Sequence, residues 1–182
     1  MRLIKQRRTV GLLLAAGMAL GITAAAATPA RADVPWIFIQ VVAGGPQNLC
    51  LQAGPGSQFQ LQVYAQPCNF TSSQNQWWQP IDQNGSGFKL ENFQTGECLY
   101  ADTVSDGTPI ALWDCRANIS NERWVWKTDS HGFGTLESRI SGTTGHCLDI
   151  PGGQFLAGRW AQLWGCNGTA AQKFIIAQVL LP

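Results

Sequence analysis

The chain of 182 residues balances twelve Lys/Arg against eleven Asp/Glu. Five of the basic residues fall within the first 31 positions, so from Asp33 onward seven basic residues face eleven acidic ones, a net charge of −4. That balance excludes a nucleic-acid binder, which needs a basic stripe, and beyond residue 32 no apolar segment is long enough to cross a membrane.

In chain order, Met1–Arg8 carries Arg2, Lys5, Arg7 and Arg8, and Val10–Ala27 is mostly apolar and rich in Ala, Gly and Leu. Ala30-Arg31-Ala32 then offers an A-x-A cleavage site. This predicts an export signal over residues 1–32, cut between Ala32 and Asp33, and a secreted domain over 33–182. A membrane anchor is the alternative, since about 18 apolar residues is the lower limit for a span. The small-residue content and the cleavage signature favour the signal. Arg7-Arg8 also fits a twin-arginine export signal, with only Val10 nearby to support it.

Strand patterns begin at the β-branched and aromatic run Trp36–Val42, and the chain is thereafter punctuated by Gly, Asn, Asp and Pro with no sustained helical spacing. One pattern then recurs three times: Cys-Leu, a second cysteine, and a closing aromatic. The copies are Cys50-Leu51, Cys68, Trp78; then Cys98-Leu99, Cys115, Trp124; then Cys147-Leu148, Cys166, Phe174. Their leading cysteines lie 48 and 49 residues apart. A fixed period means one supersecondary unit used repeatedly. The repeats run over about 36–82, 83–130 and 131–182, and each reads as four strands. In the second these lie at Phe88–Asn92, Glu97–Ala101, Ile110–Trp113 and Trp124–Lys127. Propellers typically need four to eight blades, so three four-stranded units predict an all-β, pseudo-threefold β-trefoil.

An exported chain with six cysteines, two per repeat, predicts three disulfides. Cysteine count alone allows fifteen pairings; the repeat selects Cys50–Cys68, Cys98–Cys115 and Cys147–Cys166. Each closes a loop worth roughly 3 kcal/mol in the chain-entropy account.

Gly96-Glu97-Cys98-Leu99, Gly145-His146-Cys147-Leu148-Asp149, Ala161-Gln162-Leu163-Trp164 and the run Cys166–Phe174 resemble the ricin B-type lectin domain, which overlaps with the family 13 carbohydrate-binding modules of secreted bacterial glycosidases. The family hallmark is a Gln-x-Trp triplet, here Gln76-Trp77-Trp78, Glu122-Arg123-Trp124 and Gln172-Lys173-Phe174. The resemblance implies sugar binding in the third repeat by Asp149 and Trp164 with help from Gln162 and Gln172. It also implies a role for an Asn just before the triplet. Asn75 and Asn121 occupy that position, and Ala171 leaves it empty of a hydrogen-bonding group.

If the two cysteines of a repeat stand opposite one another on antiparallel strands, Asp149 faces Trp164, on the same sheet face as the disulfide. A carboxylate beside an indole suits a sugar, whose hydroxyls donate to the charge while its C–H face packs on the ring. The same register places Tyr100 opposite Trp113 in the second repeat, a further candidate sugar site with Asn121, and Asp102 two residues beyond Tyr100. In the first repeat it places Gln52 opposite Gln66, with neither carboxylate nor stacking ring. The blander readings are a turn cap for Asp149 before Pro151-Gly152-Gly153 and an aromatic pair for Tyr100 and Trp113. Trp78, Trp124 and Phe174 are expected in the core.

His131 and His146 are isolated, and no metal-ligand spacing occurs; neither a metal nor another cofactor is expected. Disulfides occupy every cysteine, and the scattered carboxylates offer no identifiable acid–base pair, so no enzymatic activity is expected. Two functions remain. One is a secreted lectin-like module that binds galactose- or xylose-type glycans, mainly through the third repeat. The other is a secreted trefoil with decayed sugar sites that acts on a protein partner, as an inhibitor or as a subunit of an assembly.

Overall fold

The structure, a computed structural model, describes residues 35–42, 48–54, 62–115, 119–142 and 145–179. The predicted export signal lies outside them. The first repeat forms β1 (Ile37–Val41), β2 (Leu49–Ala53), β3 (Val63–Pro67) and β4 (Trp78–Asn84). The second forms β5 (Gly87–Asn92), β6 (Glu97–Ala101), β7 (Thr108–Asp114) and β8 (Trp124–Thr128), within two residues of the predicted bounds. The third forms β9 (Gly134–Ser138), β10 (His146–Asp149), β11 (Arg159–Trp160), β12 (Gln162–Gly165) and β13 (Phe174–Gln178). The two-residue β11 is an addition to the expected twelve. It pairs with β3 of the first repeat and is too short to leave a periodic signal.

Six strands close a ring. β1 pairs with β4 and β13, β5 with β4 and β8, and β9 with β8 and β13. The remaining hairpins, β2–β3, β6–β7 and β10–β12, are stitched to one another by β3–β11, β7–β12 and a bridge from Gln62 to Ala111. A six-stranded barrel with three hairpins is the β-trefoil, and it carries one disulfide per repeat: Cys50–Cys68, Cys98–Cys115 and Cys147–Cys166.

The core follows the repeat. Trp78, Trp124 and Phe174 are wholly buried, as are Leu51, Leu99 and Leu148. Fully burying one such side chain contributes about 1.5–3 kcal/mol. The two indoles also satisfy buried backbone acceptors: Trp78 Nε1 donates to Leu51 O and Trp124 Nε1 to Leu99 O, each at 3.0 Å. The leading residue of the triplet is a clamp. Gln76 Nε2 donates to Pro67 O and its Oε1 accepts from Asn69 N; Gln172 Nε2 donates to Gly165 O and its Oε1 accepts from Asn167 N. Each Gln thus pins the loop that carries the second cysteine. In the second repeat Glu122 stands there, wholly buried, with Lys89 Nζ 2.9 Å from its carboxylate.

Candidate functional site

The hairpin register differs from the expected one in all three repeats, and in the same way. Cys147 pairs with Trp164, Leu148 with Leu163 and Asp149 with Gln162. Likewise Cys98 pairs with Trp113 and Tyr100 with Ala111, while Cys50 pairs with Gln66 and Gln52 with Tyr64. The cysteines of a repeat are therefore not cross-strand partners. The second one lies just past the assigned strand, where Cys166 N donates to Gly145 O and Cys68 N to Asn48 O, with its Cα 5.0 Å from that of the first cysteine. The offset is two residues, an even number, so every side chain keeps its predicted face. Asp149 does not face Trp164 directly but sits diagonally from it, and Tyr100 stands in the same relation to Trp113. The first repeat, expected to lack a ring, has Tyr64 across from Gln52.

In the third repeat this geometry builds an open groove of about 420 Å³ between two lips. Asp149 and Gln162, both buried, form its floor, and Trp164, 40% exposed, forms a wall. Gln162 Nε2 donates to Asp149 Oδ1 at 2.8 Å. Burial pushes the Asp149 carboxyl above its ordinary pKa, against hydrogen bonds from Gln162 and Gln172 that pull it down. One lip is Pro151-Gly152-Gly153, where both glycines take a left-handed conformation (φ 64° and 62°) that L side chains rarely adopt. The other holds Asn167, Thr169 and Ala171, with Asn167 Oδ1 accepting from Thr169 N and Oγ1.

Gln172 does not line the groove. It is wholly buried behind it, clamping Gly165 and Asn167 and supporting the Asp149 carboxylate. The first repeat repeats the device, with Gln76 Nε2 donating to Gln52 Oε1 at 3.0 Å. The asparagine before the triplet also turns out to be a brace. Asn121 Nδ2 donates to Ala101 O and Asp102 O, so it holds backbone and does not face the second groove. The alanine at 171 accordingly removes a brace. In its place Ile150 N donates to Ala171 O.

The second groove, about 320 Å³, is lined by Gln62, Tyr100, Asp102, Pro109, Ala111 and Trp113. Tyr100 and Trp113 stack, with ring centroids 5.5 Å apart and planes 26° from parallel. The Tyr100 hydroxyl donates to Asp102 Oδ1 at 2.8 Å. Burial, and then that carboxylate, pushes the phenol up to about 12. A carboxylate therefore does reach the second site, from a position two residues beyond Tyr100, and Gln62 arrives from the neighbouring repeat.

The profile of the ricin-type beta-trefoil lectin domain matches residues 38–140. The chain belongs to that family. Membership of the ricin-type lectins supports carbohydrate binding in general. A curated relative, "Serine protease 1" of Rarobacter faecitabidus, is 44% identical over 82 residues, 40% of this chain and 15% of that protein; the chain spans only a small part of the relative's length. Solved structures that share the β-trefoil fold include the following three. The designed threefold protein ThreeFoil matches with TM-score 0.68 and 18% identity over 78% of this chain and 98% of its own. The Macrolepiota procera ricin B-like lectin, solved with lactose, gives 0.62 and 18% over 81% and 99%. The C-terminal half of the earthworm R-type lectin, solved with GalNAc, gives 0.57 and 17% over 79% and 99%. At these identities the likeness speaks for the fold.

The middle residue of each ricin-type triplet marks three equivalent positions that the sequence left unread. The carbonyls of Trp77, Arg123 and Lys173 accept from the amides of Phe93, Arg139 and Val42 respectively. At the second position Arg123 pairs with Asp82, and at the third Lys173 pairs with Asp129. The Lys173 hydrogen bond, opposed by desolvation and aided by two backbone amides, holds Asp129 down to about 2. At the first, the ion pair gives way to an aromatic cluster in which Trp36, Phe38, Phe70, Trp77 and Phe93 meet edge to face. Threefold comparison of the triplets was the signal that would have found these positions.

Proposed function

We propose that this chain is a secreted, non-catalytic carbohydrate-binding module whose principal site is the third-repeat groove. The observation that carries the reading is the buried Asp149 carboxylate, oriented by Gln162 beneath the exposed Trp164. A fixed carboxylate accepts hydrogen bonds from adjacent sugar hydroxyls more strongly than a neutral group would. The indole offers a flat apolar face at low entropic cost. Galactose- and xylose-type glycans fit that pairing of one acceptor and one platform. A shallow groove with few polar groups supports millimolar to high-micromolar binding, and a millimolar constant corresponds to about −4 kcal/mol. The second groove, with its Tyr100–Trp113 stack and Asp102, is an auxiliary site. Export through the N-terminal signal places the module outside the cell, where its disulfides persist.

A second reading, contact with a secreted protein partner, is favoured by the aromatic cluster of the first repeat, where Phe70 and Phe93 are 46% and 40% exposed. A glycan array probed with the mature protein, followed by titration of the best ligand into Trp164→Ala and Asp149→Asn, tests the first reading against the second.

A further inference from the structure

On the barrel surface, between the second and third repeats, a polar groove of about 480 Å³ is lined by the Asn84–Ser86 turn, Ser120, Arg123, Arg139 and Gly142. Two guanidinium groups converge there. Arg123 is nine-tenths buried and is tied to Asp82 through the carboxylate and the main-chain carbonyl. Arg139 is only half-buried, and among the described residues its side chain makes no hydrogen bond or ion pair; its Nε is buried without an acceptor. The nearest acid in sequence, Glu137, is already held by Lys127 and by Gly145 N. Arg139 thus brings to the groove a cation with no hydrogen-bonded counter-charge, Glu137 acting on it only through space. The threefold equivalents of Arg139 are Phe93 and Val42, so this charge is no requirement of the fold.

A second, independent observation points to the same place. Among the described residues, two non-glycine residues have positive φ, Asp82 at 48° and Ser141 at 54°. Asp82 holds Arg123, and Ser141 sits in the Ile140–Gly142 turn on the groove's rim, its amide donating to Ser120 Oγ at 3.0 Å. Left-handed backbone at a non-glycine residue is strained and concentrates at binding sites, where the surrounding structure enforces it.

We propose that this groove is an oxyanion site that takes the carboxylate or sulfate substituent of an acidic saccharide. An arginine fork is matched to planar carboxylate and to sulfate oxygens. The volume lies in the range of ordinary ligand pockets and exceeds what a bare ion needs, leaving room for the sugar residue that carries the charge. The saccharide half of this assignment rests on the lectin reading; the oxyanion half rests on Arg123, Arg139 and Ser120 alone.

Calorimetric titration of the mature protein at low ionic strength with sodium glucuronate, galactose 6-sulfate, inorganic sulfate and neutral galactose tests it. The expected result is binding of glucuronate, or binding of galactose 6-sulfate in excess of galactose, that falls at least tenfold in Arg139→Gln, falls less in Arg139→Lys, and is unchanged in Gln52→Ala. An unchanged melting temperature in Arg139→Gln shows that the loss is local. No binding of either acidic sugar, or equal binding by wild type and Arg139→Gln, overturns the site. Binding of inorganic sulfate alone overturns the saccharide assignment. Galactose binding without acidic-sugar binding sinks this proposal and leaves the lectin reading intact; acidic-sugar binding with no neutral glycan bound on the array sinks the third-repeat site and leaves this one standing.

Discussion

Gln162 Nε2 lies 2.8 Å from Asp149 Oδ1, and both side chains are buried on the floor of the third groove. The amide fixes the carboxylate's orientation before any sugar arrives, while its second oxygen keeps lone pairs for a ligand. Gln162→Ala is expected to weaken glycan binding by about three- to tenfold, the loss of one hydrogen bond of about 0.5–1.5 kcal/mol. Gln162→Glu, which sets two carboxylates side by side, is expected to abolish it. Titration calorimetry of the two variants checks both outcomes.

Acid should separate binding from folding. Burial raises the Asp149 pKa above its ordinary 3.8, so the carboxylate that accepts sugar hydroxyls is lost as pH falls through a value higher than that of an exposed Asp. For a raised acid the linkage to stability has the opposite sense. Asp149's contribution is fully present below the unfolded-state pKa and lost as pH rises through the folded one. Glycan affinity is therefore expected to fall on mild acidification without a fall in melting temperature attributable to Asp149. Asp149→Asn should bind weakly and show a flattened pH profile. Affinity measured down a pH series, alongside melting curves, decides it.

The buried Lys89–Glu122 pair makes a sharper stability prediction. Restoring the family residue in Glu122→Gln leaves the buried Lys89 without this carboxylate, and breaking a buried pair on one side costs about 3–5 kcal/mol. Glu122→Gln combined with Lys89→Met is expected to recover most of that loss. Denaturant unfolding of the single and double variants measures the difference.

Gly87 is required by its surroundings. It has φ 113°, and a Cβ there would stand 2.4 Å from the carbonyl oxygen of Trp124, a backbone atom of the paired strand. Gly87→Ala is expected to destabilise the domain by about 1–3 kcal/mol. Gly85→Ala, two residues away with no atom within 4 Å of the added methyl, should change stability by less than about 0.5 kcal/mol. Thermal melts of the two provide the comparison.

Much of the architecture was legible because the cysteine period fixes which segments form a unit, and the buried Trp78, Trp124 and Phe174 close each one. The faces of Asp149, Gln162 and Trp164 were legible too, since alternation survives any even offset. The register was not, because spacing cannot show that Cys147 pairs with Trp164 and is bonded to Cys166 two positions further along. The bracing roles of Gln172 and Asn121 depend on which backbone groups lie within reach. The Arg123–Arg139 groove joins residues from three separate segments, brought together by the β8–β9 and β5–β8 pairings, whose register spacing alone does not show.

The most direct test of the lectin reading is titration of its best glycan into wild type, Asp149→Ala, Trp164→Ala and Gln52→Ala. The expected result is a loss of about tenfold or more for each of the first two substitutions, since a hydrogen bond to a charged group contributes roughly 1.5–3 kcal/mol and about 1.4 kcal/mol is tenfold. Gln52→Ala, in the first repeat, should bind as wild type. A glycan bound equally well by wild type, Asp149→Ala and Trp164→Ala would contradict the assignment of the third groove and move the site to Tyr100, Asp102 and Trp113.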